Sequence, residues 1–69
     1  KRQTYTYEKE GSDEAALLAD EKIMRRTEGV AAVRARLDGT IGRLTVTAHN
    51  KRDIEVREKL LGLGYHRRW

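Results

Sequence analysis

Residues 30–49 read VAAVRARLDGTIGRLTVTAH, in which two runs of alternating side chains flank a turn sequence. Every second residue is apolar and is predicted to face a core: Val33, Ala35, Leu37, Leu44, Val46 and Ala48. The residues between them are polar or charged and are predicted to face outward: Arg34, Arg36, Arg43, Thr45, Thr47 and His49. Alternation with a period of two is typical of a half-buried β-strand. Because Asp38-Gly39 and Gly42 mark a turn, the segment is predicted to be an antiparallel hairpin of strands 30–38 and 43–49.

A strand and a helix are predicted upstream of this hairpin. Residues 3–8 alternate and are rich in threonine and tyrosine, which favours a first β-strand. Ser12 or Asp13 can then accept hydrogen bonds from the free N–H groups of a first helical turn. The helix is predicted to run to about Glu28, and Gly29 supplies a C-terminal stop.

A second helix is predicted downstream of the hairpin. Asn50 can cap its start, with Asp53 as the reciprocal partner of a capping box. Helical spacing relates three apolar residues that are predicted to face the core: Val56, Leu60 and Leu63. Ile54 and Leu61 form a flanking apolar stripe. Two glycines are predicted to end the helix: Gly62 and Gly64. Residues 65–69 are predicted to be a last short edge strand, whose arginines discourage pairing with other sheets.

The order of these elements is strand, helix, strand, strand, helix, strand. Right-handed crossovers place both helices on one face of a four-stranded antiparallel sheet. The sequence therefore predicts an α+β fold of the ferredoxin-like βαββαβ type, a two-layer sandwich. No linker or low-complexity segment interrupts the pattern, so residues 1–69 are predicted to form a single domain.

The composition limits the functions open to the chain. Its 69 residues can bury one modest core and leave little room for a deep substrate cavity. It contains no cysteine, which excludes a disulfide framework and a thiolate nucleophile. The net charge is +4, from 15 Lys and Arg against 11 Asp and Glu, and the two signs are interspersed. That arrangement favours a solvated surface over a nucleic-acid footprint.

The same composition gives expectations about location and partners. No apolar run approaches the length of a membrane span and no signal-peptide pattern opens the chain. We therefore expect a soluble monomer without a membrane partner, compatible with the cytoplasm or with recombinant expression. The chain begins with Lys1 rather than Met, so an excised or processed segment is expected.

Several residues of the pattern are similar to those of a known family. They are Gly29 and Val30 after the first helix, Val33, Leu44 and Val46 on the hairpin, and Gly64 and Tyr65 before the last strand. Over nearly its whole length the chain resembles the heavy-metal-associated domain, the module of copper chaperones and metal-pumping ATPases. The resemblance implies the same ferredoxin-like fold. It also implies a metal-binding loop, Gly-Met-Thr-Cys-x-x-Cys, between the first strand and the first helix.

The chain departs from the family at that loop. Counting back from Gly29 places Asp13 at the position of the first cysteine and Ala16 at the second. A soft ion such as Cu(I) selects thiolate or thioether ligands, and neither residue supplies one. The only other soft atom is the sulfur of Met24, which is predicted to lie on the helix well beyond the loop. We therefore predict no metal transfer, no metal site and no cofactor.

Asp20 is a carboxylate on the predicted apolar face of the first helix. That face is centred between five apolar side chains: Ala16, Leu17, Ala19, Ile23 and Met24. Burial of an unpaired carboxylate is costly or raises its pKa, so one interpretation is a perturbed acid in a small pocket. The favoured interpretation is a rotated helix, or a position at the margin of the layer where Asp20 reaches water or an arginine, because no nucleophile or second carboxylate clusters beside it.

The remaining candidates lie on the predicted outward face of the sheet. His49 and His66 are predicted to be exposed and unpaired, with an adventitious surface metal site as the alternative if the strands bring them together. Three further residues join the outward residues of the hairpin on this face: Thr4, Thr6 and Arg68. The RNA-recognition motif shares the topology but stacks bases on aromatic side chains, which threonine cannot replace. Base-specific RNA binding is disfavoured, whereas weak, salt-sensitive phosphate contact stays open.

No catalytic constellation is recognisable, so we predict that the chain is not an enzyme and has no catalytic or cofactor-binding residues. It also lacks Phe, Pro and Cys, and its strands and helices are filled with residues that prefer those structures. The leading hypothesis is a de novo designed or redesigned sequence on the heavy-metal-associated backbone whose task is to fold. The alternatives are a natural degenerate domain that acts as a protein-interaction module, or a weak nucleic-acid binder through a basic sheet face.

Overall fold

The computed structural model describes residues 2–67. The strands and helices follow one another as β1 (Gln3–Lys9), α1 (Glu14–Arg25), β2 (Val30–Asp38), β3 (Ile41–Ala48), α2 (Asp53–Gly62) and β4 (His66–Arg67). This is the predicted βαββαβ order, and the ferredoxin-like α+β fold class is confirmed. None of the helices in residues 2–67 is long and apolar enough to cross a membrane.

The four strands form one antiparallel sheet in the order β2-β3-β1-β4. β3 alternates fully between buried and partly exposed residues, and its buried side faces the helices. The buried residues are Gly42, Leu44, Val46 and Ala48, and the last three belong to the core. This confirms the direction of alternation predicted for the second strand of the hairpin. One layer of helices therefore covers one face of the sheet and leaves the other face open.

The core lies between this face of the sheet and one side of each helix. Among residues 2–67, ten buried apolar residues form it, and they come from β1, both helices, β2, β3 and the segment before β4: Tyr7, Leu17, Met24, Val33, Leu44, Val46, Ala48, Val56, Leu60 and Tyr65. Val56 and Leu60 are buried and Leu63 packs partly buried against them, as the predicted stripe of the second helix requires. The flanking stripe lies outside the core, because Ile54 is 69 % exposed and Leu61 is 56 % exposed.

The first helix is shorter than predicted. It ends at Arg25 rather than near Glu28, and Arg26 is its C-cap. The hydroxyl of Thr27 donates a hydrogen bond of 2.8 Å to the carbonyl of Ile23, which occupies one of the carbonyl groups freed at the helix end. The chain then turns at Gly29, whose φ of 96° lies in the left-handed region. A Cβ at this glycine would lie 2.6 Å from the Cβ of Arg52, so the site requires glycine for space as well as for conformation.

The prediction that Gly42 belongs to the hairpin turn was wrong. The turn consists of residues 39–40 only, and β3 begins at Ile41. Gly42 is a buried strand residue, and a Cβ there would meet the Oγ of Ser12 at 3.0 Å and Leu17 at 3.1 Å. The glycine therefore allows the loop between β1 and α1 to approach the backbone of β3 closely. This is the use of a strand glycine where another segment needs room.

The predicted capping box of the second helix was also wrong. The N-cap residue is Arg52, and no side chain caps the helix. Lys51 adopts a φ of 74°, which turns the chain between Asn50 and the helix and removes Asn50 from the capping position. The N–H of Arg52 bonds instead to the carbonyl of His49 at 3.1 Å. α2 therefore depends on its packing against the sheet rather than on a capping side chain.

Two further expectations differ in detail. Leu37 was predicted to face the core, but it lies near the hairpin turn and is 37 % exposed. The predicted strand over residues 65–69 is described only as His66–Arg67, and Arg68 and Trp69 lie outside the described residues. Tyr65 precedes this strand and is fully buried in the core.

Candidate functional site

The loop between β1 and α1 is the segment in which the resemblance suggested by the sequence would place a metal-binding loop. Asp13 is the N-cap of α1, and its Oδ1 accepts a hydrogen bond of 2.8 Å from the backbone N–H of Ala16. The N–H of Ser12 donates a bond of 2.7 Å to the carbonyl of Thr40 in the hairpin turn. Ser12 is buried against Gly42. The loop is therefore held by one cap and one backbone hydrogen bond.

The residues of this loop do not fit a soft metal ion. The Asp13 carboxylate is a hard oxygen ligand that is already bonded to the helix N-terminus. The Ala16 side chain has no donor atom. The Met24 side chain is fully buried in the core, so its sulfur is not available to a metal ion bound at the loop. Within residues 2–67, no three His, Cys, Asp or Glu side chains are close enough together to hold a metal ion.

Asp20 lies at the margin of the helix layer, and its partner is a tyrosine. The hydroxyl of Tyr65 donates a hydrogen bond of 2.8 Å to Asp20 Oδ2. Tyr65 is 1 % exposed, whereas Asp20 is partly exposed. Its partial exposure agrees with the favoured interpretation of a marginal position with access to water, whereas the tyrosine partner was not predicted and no arginine pairs with Asp20 within residues 2–67. The pairing joins the middle of α1 to the segment after α2 and satisfies a buried phenol.

This arrangement changes the acidity of Tyr65. Burial raises its pKa strongly, and the hydrogen bond to Asp20 and the negative charge of that residue act in the same direction. Burial also raises the pKa of Tyr5, and the Arg57 guanidinium, 4.6 Å from the centre of the Tyr5 ring, partly opposes that effect. Both phenols therefore stay protonated at neutral pH and act as packing groups and hydrogen-bond donors.

His49 and His66 are exposed, as predicted, and they lie far apart. His66 pairs with Glu8, near the end of β1. His49 follows Ala48, which pairs with Gln3 near the start of β1. Gln3 and Glu8 are five residue steps apart along β1, which is roughly 17 Å at about 3.3 Å per residue. The alternative of an adventitious metal site shared by the two histidines was therefore wrong.

The open face of the sheet is built from threonine pairs and arginines. Thr4 and Thr47 share a hydroxyl hydrogen bond of 3.0 Å, and Thr6 and Thr45 share one of 3.1 Å. These hydroxyls satisfy one another across β1 and β3. The centre of the face therefore has neither the aromatic platforms used to bind bases nor hydroxyls that lack a protein partner.

Arg34, Arg36 and Arg43 of this face differ in their surroundings. Arg43 binds Glu8 through Nε at 3.1 Å and Asp38 through Nη1 at 2.9 Å, and these hydrogen bonds raise its pKa. Arg34 and Arg36 on β2 are exposed, and no carboxylate in residues 2–67 lies within ion-pair distance of either. Of these three arginines, the two without an ion pair within residues 2–67 thus lie on β2, at the edge of the sheet.

The surface formed by residues 2–67 includes open hollows on both sides of the sheet. One, of about 350 Å³, lies on the open face and is lined by Thr6, Arg36, Asp38, Arg43 and Thr45. The other, of about 480 Å³, lies between the ends of the helices and is lined by Ile23, Arg26, Thr27, Glu28, Glu55 and Lys59. Neither hollow brings a hydroxyl together with a histidine, so neither offers the nucleophile–base pair of acyl-transfer enzymes.

Sequence reasoning missed two of the polar interactions that organise these surfaces. The Tyr65–Asp20 hydrogen bond joins residues 45 positions apart in the sequence, so no local sequence pattern predicts it. The two ion pairs of Arg43 could have been predicted, because the alternation places Glu8 and Asp38 on the open face and the strand pairing brings both near Arg43.

No family model, curated protein or solved structure matches the chain.

Proposed function

We propose that this chain is a non-catalytic, metal-free domain whose residues serve to hold the ferredoxin-like fold. The observation that carries the proposal is the role of Asp13. This residue stands at the position of the first metal-binding cysteine of the heavy-metal-associated family, and it caps α1 through a bond of 2.8 Å to the N–H of Ala16. A carboxylate bonded in this way completes the helix end and leaves no soft ligand for a metal ion.

A second observation supports the same proposal. Asp20 was the one candidate for a perturbed acid, and it accepts a hydrogen bond from the buried hydroxyl of Tyr65. A general acid or base needs a free path to a substrate proton. In this arrangement the carboxylate faces a structural donor, so its location on the apolar side of the helix has a structural explanation.

We also propose that the chain is a designed or redesigned sequence on the backbone of the heavy-metal-associated family. The order of its elements is that of the family, and the residues that resemble it have structural roles: Gly29 makes the left-handed turn, and Val33, Leu44, Val46 and Tyr65 are buried. Residues that maintain the backbone are thus kept, whereas the cysteines are replaced. A sequence chosen only to fold would show this division.

A calorimetric screen tests the proposal. The chain is titrated with Cu(I), Zn²⁺, RNA and DNA at moderate salt, and we expect no saturable binding of any of them. The matched variant Asp13→Cys/Ala16→Cys restores two thiols at the family's spacing, and we expect it to gain Cu(I) binding without a change of fold. Stoichiometric Cu(I) capture by the unchanged chain would refute the metal-free function. Failure of the double-cysteine variant to bind Cu(I) while folded would refute the family backbone.

A second candidate function is protein interaction through the basic face of the sheet. The exposed side chains of Arg34 and Arg36, which have no carboxylate at ion-pair distance within residues 2–67, favour it. Charged groups of this kind steer association and select partners of opposite charge. A salt titration of any detected complex, with Arg36→Glu as the variant, tests this candidate. If neither the salt concentration nor the Arg36→Glu substitution changes the affinity, the basic face is excluded as the interface.

A further inference from the structure

Strand β2 forms one edge of the sheet, with β3 as its only neighbour in the described part of the chain. It spans nine residues, Val30–Asp38. Its pairing with β3 is irregular only near its start, between Val30 and Ala32, and is continuous from Ala32 to Asp38. A strand edge of this length presents unpaired N–H and C=O groups that can accept a further strand.

The hairpin turn decides which backbone groups point to the free edge. Asp38 and Ile41 pair across the two-residue loop 39–40. The pair flanking such a loop is joined by backbone hydrogen bonds, and bonded and non-bonded pairs alternate from there along an antiparallel ladder. By this parity, the residues whose N–H and C=O groups point away from β3 are Val33, Ala35 and Leu37. They offer roughly six hydrogen-bonding groups to an added strand.

The side chains beside this edge select the charge of the added strand. Arg34 and Arg36 alternate with the three edge-directed residues and extend from the open face. An added strand would meet both arginines at non-hydrogen-bonded positions, where opposite side chains come closest. Neither arginine has a carboxylate at ion-pair distance within residues 2–67, in contrast to Arg43. Two acidic residues, spaced by one residue, would match them.

A second copy of β2 is a poor occupant of this edge. Antiparallel pairing about Ala35 would set Arg34 of one copy opposite Arg36 of the other, and the reverse. Like charges that lie directly opposite destabilise a strand pair. The arginines therefore oppose self-association through β2 and favour an acidic partner.

We propose that the free edge of β2 binds an extended acidic peptide as an additional antiparallel strand, with glutamates opposite Arg36 and Arg34. On the helix side, aliphatic residues of the peptide would lie beside Ala35 and cover Leu37, which is 37 % exposed. The position opposite Asp38 is uncharged, because Asp38 already binds Arg43 and would repel a carboxylate. The inference rests on the second candidate function, protein interaction, and does not depend on the metal-free function.

A peptide fits this surface better than a nucleic acid does. The tyrosines of the described chain turn away from the open face: Tyr7 and Tyr65 are buried, and Tyr5 directs its hydroxyl to the carbonyl of Asp53. Base stacking contributes much of the affinity for single-stranded nucleic acids, and within residues 2–67 no tyrosine or tryptophan ring lies on the open face to provide it. The carboxylates of Glu8 and Asp38 share the face with the arginines and repel phosphates.

The test uses the full chain and the fluorescent peptide Thr-Val-Glu-Val-Glu-Val-Thr, titrated by fluorescence anisotropy at physiological salt. We expect saturable binding and new hydrogen-exchange protection at the amides of Val33, Ala35 and Leu37. Arg36→Glu is expected to weaken binding by about tenfold or more. Arg26→Glu makes the same charge change on the helix side and is expected to leave the affinity within about twofold. Circular dichroism confirms that both variants are folded.

The peptide Thr-Glu-Val-Val-Val-Glu-Thr is the matched control, because it has the same composition with both glutamates moved to the helix-facing positions. We expect it to bind about tenfold more weakly. Equal binding of the two peptides, protection at other amides, or tighter binding of a single-stranded RNA would overturn the inference. No peptide binding would also overturn it while leaving the metal-free function intact. Cu(I) capture would refute that function without affecting the peptide site.

Discussion

Replacing Tyr65 by phenylalanine should destabilise the domain without creating a cavity. The two rings have nearly the same size, so the change removes only the hydroxyl that donates a bond of 2.8 Å to Asp20. Tyr65 is 1 % exposed, which means that packing around the ring is retained. The effect therefore isolates the hydrogen bond between α1 and the segment before β4.

The loss of stability depends on the charge of the acceptor, Asp20, and on its exposure to water. A hydrogen bond to a charged group contributes about 1.5–3 kcal/mol. Asp20 is partly exposed, so water can replace part of the lost contact, and the lower end applies. We expect a loss of about 1.5 kcal/mol for Tyr65→Phe, which lowers Tm by roughly 6–12 °C in a domain of this size. Asp20→Ala leaves the phenol buried without an acceptor and is expected to cost about 1–3 kcal/mol.

Urea unfolding followed by circular dichroism at neutral pH measures both single variants and the double variant. If the bond matters, the losses are not additive, and the double-mutant cycle gives a coupling of about 1 kcal/mol or more. Additive losses, or a loss under about 0.5 kcal/mol for Tyr65→Phe, would show that the bond contributes nothing to stability. Val56→Ala, which opens a cavity elsewhere in the core, serves as a control that should not couple to Asp20→Ala.

Three further outcomes can be measured with the same unfolding assay. Asp13→Ala removes the cap of α1 and should cost about 1 kcal/mol, whereas Asp13→Ser should cost little; equal losses would contradict the capping role. Gly29→Ala combines a φ of 96° with a Cβ 2.6 Å from that of Arg52, so it should cost more than about 1 kcal/mol, and a neutral result would refute the close contact. The folded pKa of Tyr65 is raised above its unfolded value of about 10, so the contribution of this phenol to stability is complete below that pH and is lost as pH rises beyond it. The free energy of unfolding should therefore fall less steeply above about pH 10 in Tyr65→Phe than in the unchanged chain. An identical fall in both would contradict the raised pKa of Tyr65.

The fold could be predicted because its signals are local. The alternation of Val33, Arg34, Ala35 and Arg36 fixes a strand and its two faces from a few neighbouring residues. Gly29 marks the end of the first helical region, although the helix itself stops sooner. With these elements in order, handedness rules leave few arrangements, and the ferredoxin-like sandwich is one of them.

The features that could not be predicted depend on contacts between distant residues. The position of Gly42 inside β3 follows from the approach of Ser12, 30 residues earlier in the chain. Asn50 fails as a cap because Lys51 takes a left-handed conformation, which no propensity assigns to lysine. The acceptor role of Asp20 requires knowing that Tyr65 lies across the core. In each case a tertiary contact overrides the local preference.

The bond between Ser12 and the carbonyl of Thr40 has a consequence for slow motions of the molecule. The Ser12 amide is enclosed by the hairpin and donates over 2.7 Å, so its deuterium uptake requires this loop to lift away from the β2–β3 turn. Its uptake rate should therefore track the rates of amides within β3 rather than those of other irregular segments. In this domain a residue without regular secondary structure reports on the cooperative opening of the sheet.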